Sequence, residues 1–476
     1  MEYRTKRLGV NTILVFLGKA GSSLIGLLML PFYTHWLTPA DYGTTDLVFT
    51  YTSILVSVLS CCMADSLFIY AKGASEDDRK KYYSTGLLFL IVSSIIFVVV
   101  TLVVRMIGYR FDIDGVIFEH AWFILAITVC NALQLYTQAF TQAIDKMKVF
   151  TLTGIVFTIS IALSSFVLLP TMGLTGYLWS YVFANVVSSV FSLVMSKSYR
   201  YLSAGDIDKS KCRELLIYGI PIIPNTIMWW LVSGINRPIM ESTLGLSAIG
   251  IFAVSNKIPS VISMLCGIFN TAWSITMLEE YGKEDFNHYF NKIVKMIFFV
   301  LTVASIFIAI FSKTIVRIFA ASEFYEAWKY IPFLVFGVLL QNLSGLIGGV
   351  FAAQKKSKYF FYSSIWGACT SLIFTLSLIS IFGIYGVCLS IILSFLSMII
   401  ARLRYAWQEI CDFDIKYYVI MSMLYILISL IVISSLNLSM KILLYIIVMS
   451  LLLLYNRCLV SLLLNNLRTI IKNKKR

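Results

Sequence analysis

Charged residues are scarce in this sequence. Only 13% of its 476 residues are Asp, Glu, Lys or Arg, whereas a soluble domain carries about 25%. Hydrophobic residues make up 59% of the chain, so its polar residues are too few to cover a surface that faces water. The composition therefore excludes a soluble globular protein and indicates an integral membrane protein.

The sequence also lacks the short motifs of soluble enzymes and metal sites. It contains no G-x-x-x-x-G-K-[ST], H-E-x-x-H or G-x-S-x-G, which argues against an internal ATPase and a metalloprotease. His35, His120 and His288 are too dispersed to suggest a metal site. The nine cysteines form no C-x-x-C pair and lie mostly in apolar runs, as membrane hydrophobes do. We expect no resident metal or cofactor.

Long apolar runs fill the chain instead, and a run of about 20 such residues suffices to cross a membrane as a helix. The sequence predicts about fourteen spans, at 9–34, 44–70, 84–107, 117–143, 150–170, 174–196, 213–236, 248–276, 292–312, 329–353, 359–381, 384–402, 415–436 and 440–463. The loops between them are short. We therefore expect an all-α polytopic membrane protein with no separate catalytic domain.

Basic residues are concentrated in every second loop between these spans. Most of the 38 lysines and arginines fall at the N-terminus, in the even-numbered loops and at the C-terminus, for example in "KKSK" at 355–358 and "KNKKR" at 472–476. Cytoplasmic loops are the ones enriched in Lys and Arg, so both termini are predicted to be cytoplasmic. The net charge of +14 is then mainly a topology signal, and we expect no nucleic-acid partner.

An internal repeat divides the chain. A shift of 210 residues places Gly173 and Gly176 on Gly383 and Gly386, and a shift of 207 places Gly43 on Gly250. The period contains six spans, an even number, so the two halves must share one orientation in the membrane. The sequence predicts two six-helix lobes in parallel repeat, residues 1–205 and 206–410, followed by two further helices and a basic tail at 411–476. Chance matching between apolar segments is the alternative explanation.

Ionisable residues inside the apolar runs are the candidate functional residues. A lysine at the centre of a spanning helix costs roughly 2.5–3.5 kcal/mol on insertion scales, and such residues usually face a bundle interior or a wet cavity. Lys19 lies near the middle of span 1 and Lys257 in span 8. Together with Arg237 at the end of span 7, these cations predict a cavity that suits an anionic substrate such as a phosphate or pyrophosphate. Asp46 and Asp65 in span 2 are candidates for tuning that charge or for binding a coupling proton or cation.

Structural roles compete with each of these assignments. A tilted span 8 would bring Lys257 near the membrane surface, and Asp46 and Arg237 lie where solvated interfacial charges are common. Asp65 is near the predicted cytoplasmic end of its span. The prolines Pro221, Pro224 and Pro259 are expected to kink spans 7 and 8 because each removes a backbone hydrogen bond.

Two stretches resemble a known family. "LPFYTHWLTPADYGTTDLVF" at 30–49 is similar to the junction of the first two helices in Wzx-type flippases for polysaccharide repeat units. "YGIPIIPNTIMWWLVSGINRPIM" at 218–240, followed by "LGLSAIGIFAVSNKI" at 244–258, is similar to the start of their second lobe. These proteins belong to the multidrug/oligosaccharidyl-lipid/polysaccharide (MOP) exporter superfamily, with lipid II flippases and MATE exporters.

This resemblance implies two six-helix bundles around a cationic cavity. It also implies translocation of an undecaprenyl-diphosphate-linked oligosaccharide across the bacterial inner membrane by alternating access, for O-antigen or capsule synthesis. Lys19, Lys257 and Asp46 match functional positions of the related lipid II flippases, although arginine is common where this chain has lysine. The implied partners are the lipid-linked oligosaccharide, the bilayer, and candidate polymerase and chain-length regulator proteins. A coupling proton or sodium ion is the candidate energy source.

Other functions remain open at this point. A lipid II flippase or a MATE-type ion-coupled antiporter has the same architecture, although an exporter of cationic drugs favours an acidic cavity. A membrane-embedded polysaccharide polymerase or glycosyltransferase is the rival from another class. The short predicted outer loops argue against that enzyme class, so we expect a transporter that is not an enzyme.

Overall fold

The computed structural model describes residue 21 and residues 25–354, 356–410, 412–434, 437–457 and 461. The described chain is helical and contains no strand. Its α-helices of seven or more residues, in chain order, are α1 (Leu30–Trp36), α2 (Pro39–Ser60), α3 (Met63–Ala71), α4 (Glu76–Phe111), α5 (Ala121–Ala143), α6 (Met147–Ser196), α7 (Lys209–Gly219), α8 (Ile223–Ser233), α9 (Asn236–Leu244), α10 (Leu246–Glu280), α11 (Phe286–Phe319), α12 (Ile331–Ala353), α13 (Ser357–Phe382), α14 (Ile384–Ala406), α15 (Ile415–Ile433) and α16 (Leu438–Tyr455).

The predicted all-α membrane architecture is confirmed. Among the described residues, ten helices are long and apolar enough to cross a membrane, or eleven if the bent pair α2–α3 forms one span. The 50-residue α6 covers predicted spans 5 and 6, and α16 is a shorter apolar helix at predicted span 14. Predicted spans 2 to 14 thus each have a helical counterpart, whereas most of predicted span 1 lies outside the described residues.

Two of the predicted spans are not continuous α-helices. Span 2 breaks at Cys61 and Cys62, which both adopt left-handed backbone conformations, and the two halves are bent by 50°. Span 7 changes from α-helix to a 3-10 turn, Ile220–Ile222, that contains Pro221, while Lys209–Leu244 continues as one candidate span. The helix α10 continues through Pro259, so the kinks expected from proline in spans 7 and 8 stay a prediction.

The backbone repeats the pattern found in the sequence. Gly173 interrupts α6 with φ +56°, and its repeat partner Gly383, between α13 and α14, has φ +55°. This left-handed region is accessible to glycine at little cost. The same local turn therefore recurs at equivalent positions 210 residues apart.

By their contacts, the residues form two compact units. The first holds the described residues up to Lys257 with Ile318–Phe324 and Ser371–Val387; the second holds Ile258–Arg317, Tyr325–Thr370 and the described residues from Cys388 onward. The lobe boundaries predicted from the repeat do not coincide with this division and stay a prediction.

Each unit has its own core. In the first, the ring of Tyr83 stacks between those of Tyr136 and Phe140, with ring centroids 5.4 and 4.2 Å away. In the second, α12 is the most buried of the candidate spans, and the Tyr425 hydroxyl donates to the Pro332 carbonyl at 2.8 Å. In the first core, the Tyr136 hydroxyl likewise donates to the Tyr83 carbonyl at 2.7 Å, so each of these two buried hydroxyls is bonded to backbone, as a membrane interior favours.

Candidate functional site

The candidate site begins where α2 crosses α10 in the first unit. A Cβ atom added to Gly43 would meet the carbonyl oxygen of Leu246, and one added to Gly250 would meet that of Pro39. Leu246 and Gly250 are the repeat partners of Pro39 and Gly43, so the crossing is symmetric in sequence. Small residues allow such close approach of helices in membranes. The crossing therefore also brings close together the side chains that follow these two glycines by one or two helical turns.

The start of α2 is fixed by a capping box. The Thr38 hydroxyl accepts a hydrogen bond from the Asp41 backbone N–H, and the Asp41 carboxylate accepts one from the Thr38 N–H, both at 3.2 Å. This arrangement satisfies two otherwise unpaired donors of the helix. The capping box thus fixes the residue at which α2 begins. Tyr42 and Asp46 are four residues apart on this helix and therefore lie on one face of it.

Lys257 on α10 meets that face. Its ammonium group hydrogen-bonds the Tyr42 hydroxyl and interacts electrostatically with Asp46 and with Tyr181 of α6. The side chain is only partly buried. The lysine therefore sits among one carboxylate and two phenols, and not alone in apolar surroundings.

Asp46 also forms an ion pair with Arg237 of α9. The distance from Arg237 Nε to Asp46 Oδ2 is 2.8 Å, and the exposed fractions of the two side chains are 11% and 22%. Arg237 further donates to the Ser233 carbonyl at 2.6 Å and lies over the Phe252 ring. Two cations thus share one carboxylate, and these three side chains carry a formal charge of +1.

Aromatic rings flank this group. The Tyr181 ring lies 4.1 Å from the Phe49 ring and 5.4 Å from the Tyr177 ring, and Tyr177 lies 4.6 Å from Tyr33. Tyr33 and Tyr177 are buried, whereas Tyr181 is partly accessible. We call Tyr42, Asp46, Tyr181, Arg237 and Lys257 the Lys257 cluster.

The structure brings together three of the five predicted site residues. Lys257, Asp46 and Arg237 belong to the Lys257 cluster. Asp65 is exposed in the first turn of α3, beyond the Cys61–Cys62 break and more than four turns from Asp46. Lys19 lies outside the described residues.

Further polar contacts fasten α8 and α9 to α2 and its neighbours. The Trp230 indole N–H donates to the Thr50 carbonyl at 3.0 Å. The Glu241 carboxylate accepts from the Val116 backbone N–H at 2.6 Å and from the Tyr51 hydroxyl at 3.4 Å. With the Asp46–Arg237 pair, these contacts form what we call the α2–α9 latch.

Sequence reasoning missed Glu241, Tyr42 and Tyr181. Glu241 follows predicted span 7 in a short loop, where an acidic residue attracts no notice. Tyr42 carried a weak signal, because it precedes Asp46 by four residues in an apolar segment. Nothing in the local sequence around Tyr181 connects it to Lys257, 76 positions later.

The described residues hold no group of three or more His, Cys, Asp or Glu side chains placed to bind a metal. The charged side chains of the Lys257 cluster can bind a ligand electrostatically. They offer ammonium and guanidinium donors for an anion, and a carboxylate that can exchange partners.

Comparison with known proteins identifies the family. Residues 8–279 match the model described as polysaccharide biosynthesis protein, and residues 221–379 match the MatE model. No curated protein sequence matches the chain.

Solved structures share the fold. Lipid II flippase MurJ, in an inward closed conformation, is 13% identical over 95% of this chain and 99% of its own, with a TM-score of 0.70. An inward-facing multidrug resistance MATE transporter of the MOP superfamily is 13% identical over 86% and 98%, with a TM-score of 0.67. A MOP superfamily transporter from Pyrococcus furiosus is 15% identical over 86% and 96%, with a TM-score of 0.58. Because the first family model covers more than half of the sequence, the chain belongs to the polysaccharide biosynthesis protein family, and its fold is that of the MOP superfamily of transporters.

Proposed function

We propose that this protein is a flippase that moves undecaprenyl-diphosphate-linked oligosaccharide repeat units across the bacterial inner membrane, for O-antigen or capsule synthesis. The observation that carries the proposal is the net positive charge of Lys257, Arg237 and Asp46 within membrane helices. A diphosphate is the anionic part of such a substrate. Membership of the polysaccharide biosynthesis family supports the glycan part.

In this proposal Asp46 is the exchangeable counter-ion. A charge held within the membrane is costly unless it is paired, and Asp46 pairs with Arg237 while interacting with Lys257. An arriving diphosphate competes with the carboxylate for the two cations. Lys257 contributes a point charge, whereas the Arg237 guanidinium can form two parallel hydrogen bonds with phosphate oxygens.

Alternating access requires the α2–α9 latch to open and close. The latch joins helices of the two predicted lobes, and its contacts are mostly hydrogen bonds and one partly accessible ion pair. Such contacts exchange more readily than a packed apolar interface. The energy source we propose is a coupling proton or sodium ion.

A lipid II flippase is the second candidate. The likeness to MurJ over 95% of this chain favours it, and lipid II shares the polyprenyl-diphosphate chemistry that the Lys257 cluster suits. The two candidates differ in the glycan, which the charged cluster does not distinguish.

A cell assay tests the proposal. The gene is expressed in a bacterial strain that lacks its own repeat-unit flippase, and surface polymer is quantified beside membrane levels of the protein. Wild type and Lys257→Arg are expected to restore polymer, and Lys257→Ala is expected to lose at least about tenfold, since one charged hydrogen bond contributes about 1.5–3 kcal/mol. Lys283→Ala, at an exposed position after α10, is the control.

Two results would count against the proposal. Restoration of surface polymer by Lys257→Ala at normal expression would remove the role of the cation. Restoration of growth in a strain depleted of its lipid II flippase, without surface polymer in the first strain, would favour the second candidate.

A further inference from the structure

Two lysines of the second unit, far along the chain from the Lys257 cluster, lie at one cavity. Lys313 is on the last part of α11, and Lys441 is in the first turn of α16. Both line one cavity of about 560 Å³. The remaining lining residues come from α11, α15 and α16 and are mostly apolar, among them Phe311, Val432 and Ile442.

Neither lysine is neutralised by a carboxylate in the described part of the chain. No lining residue is acidic. The Lys313 ammonium lies 4.1 Å from the centre of the Trp328 ring. The nearby Lys329, by contrast, forms an ion pair with Glu326. The cavity therefore carries two positive charges and no negative one among these residues.

Lys441 is held in place by the end of α15. Its ammonium donates to the carbonyl oxygens of Val432 and Ser434, both at 2.8 Å. Those carbonyls belong to the last turn of α15 and the residue after it, where a helix leaves acceptors unpaired. An ammonium group has three donors, and these two bonds use two of them. Backbone contacts thus orient the charge without cancelling it.

The cavity lies near the last turns of α11 and α15. In the first third of α11, Lys295 pairs with Asp414, which precedes α15, at 2.7 Å. Exposed apolar residues such as Phe311 and Ile442 also line the cavity. A ligand for this place needs a negative group for the lysines and a hydrocarbon part for the walls.

We propose that this cavity binds an anionic phospholipid, with its phosphate between Lys313 and Lys441 and an acyl chain along α15 and α16. Charge complementarity selects this occupant, because a lipid phosphate supplies the negative group that two ammonium donors bind strongly. Apolar residues at the mouth favour the acyl chain over water. The cavity shares no residue with the Lys257 cluster, and the inference does not depend on which glycan is transported.

Native mass spectrometry of the full-length protein in detergent tests this inference, with phosphatidylglycerol, phosphatidylcholine and soluble glycerol phosphate as probes. We expect phosphatidylglycerol to bind and the other two to bind at least tenfold more weakly. Lys313→Gln and Lys441→Gln are each expected to weaken phosphatidylglycerol binding by about fivefold, the effect of one basic residue at a membrane surface. Lys329→Gln is the matched control and should bind as wild type does.

Lys441→Gln also removes hydrogen bonds to the end of α15 and could therefore affect folding. Lys313 contacts only the Trp328 ring among the contacts described above. Lys313→Gln therefore separates lipid binding from folding. Equal binding of phosphatidylglycerol by wild type and Lys313→Gln would overturn the inference. Equal binding of phosphatidylglycerol and phosphatidylcholine would also overturn it. Competition by glycerol phosphate at the same concentration would overturn the lipid assignment, since a soluble phosphate would then be the ligand.

Discussion

Arg402 shows what the membrane interior demands of a single residue. It is fully buried on α14, where its Nε donates to the Ser363 hydroxyl at 3.1 Å and its Nη1 donates to the Ser344 carbonyl. The guanidinium lies 4.5 Å from the centre of the Phe360 ring. In the described structure the guanidinium charge is thus stabilised by neutral hydrogen-bond acceptors and an aromatic face. The Arg402 side chain also fills the space beside Gly348.

We predict that Arg402→Ala lowers the free energy of unfolding by about 2–5 kcal/mol, the range for emptying a large buried site. Arg402→Met should cost less, because it fills most of the volume and removes a charge that is expensive to bury. Thermal unfolding in detergent ranks the variants. Arg404→Ala, two residues on and exposed, is the control and should stay within about 0.5 kcal/mol of wild type. Equal melting of Arg402→Ala and Arg404→Ala would contradict the prediction.

Asp46 and Arg237 form an ion pair and should behave as energetically coupled residues. Removing one partner leaves the other ion partly buried without its counter-charge, so Asp46→Asn and Arg237→Gln should together cost more, when their separate effects are added, than the double variant does. A double-mutant cycle on thermal stability is expected to give a coupling free energy of about 0.5–3 kcal/mol. Simple additivity of the two single effects would show that the 2.8 Å contact contributes nothing.

Among the elements, the ends of α11 and α15 are joined by charge. Asp414 caps α15 by accepting from the Tyr417 N–H at 3.1 Å, and it receives a hydrogen bond from Lys295 at 2.7 Å. The bond from Lys295, and then that from Tyr417, lowers the pKa of Asp414. A carboxylate with a lowered pKa adds stability above its unfolded pKa of about 3.9, and this stability is lost as the pH falls through the folded pKa.

We therefore predict that Asp414→Ala destabilises the protein near neutral pH by about 0.5–2 kcal/mol, mainly through the lost cap. Asp414→Asn should cost less than about 1 kcal/mol, since asparagine also caps helices and the ion pair is partly exposed. Unfolding measured at pH 7 and below pH 4 should show the difference between wild type and Asp414→Asn shrinking in acid. A constant difference across this range would be incompatible with the ion pair.

The close crossing of α2 and α10 should not tolerate larger residues at its two glycines. Gly43→Ala and Gly250→Ala each place a methyl group against backbone carbonyl oxygen, which cannot move aside as a side chain can. Both variants should lose most of the folded, monodisperse protein in size-exclusion chromatography. Gly267→Ala, in the same α10 but with open space around it, should not. Normal yields of Gly43→Ala would mean that the helices can separate at this crossing without penalty.

Local patterns account for part of these elements. The apolar runs predicted the spans, and turn glycines such as Gly173 and Gly383 marked their ends. The break at Cys61–Cys62 was not predictable, because neither residue is a usual helix breaker and non-glycine residues rarely adopt the left-handed geometry seen there. Arg402 lies at the last residue of predicted span 12, a typical interfacial position, yet neighbouring helices enclose it.

For the whole molecule, the α2–α9 latch is the feature that the sequence could not reveal. Its partners, such as Tyr51 and Glu241, are 190 positions apart, and no periodicity connects them. Charge inside apolar runs did indicate Asp46, Arg237 and Lys257, because a costly residue in a membrane signals a special environment. The pairing that reduces the net charge became visible only in three dimensions.

We predict that loosening the latch changes the dynamics of the molecule. Glu241→Ala removes the acceptor of the Val116 N–H and of the Tyr51 hydroxyl. Hydrogen-exchange mass spectrometry should show faster exchange in peptides covering 112–119 and 236–244 than in wild type. Glu279→Ala, at an exposed site near the end of α10, is the control and should exchange as wild type does. Unchanged exchange in both peptides would mean that the latch does not restrain these segments.

A translocation measurement on the purified full-length protein tests directly whether it flips a diphosphate-linked oligosaccharide and whether Lys257 is needed. Proteoliposomes carry an undecaprenyl-diphosphate-linked oligosaccharide in both leaflets, and an added lectin reports how fast the inner pool becomes accessible. Wild type and Lys257→Arg are predicted to accelerate its appearance over protein-free liposomes, and Lys257→Ala to be slower by at least about tenfold. Rates for wild type equal to those of protein-free liposomes, or for Lys257→Ala equal to wild type, would contradict the account.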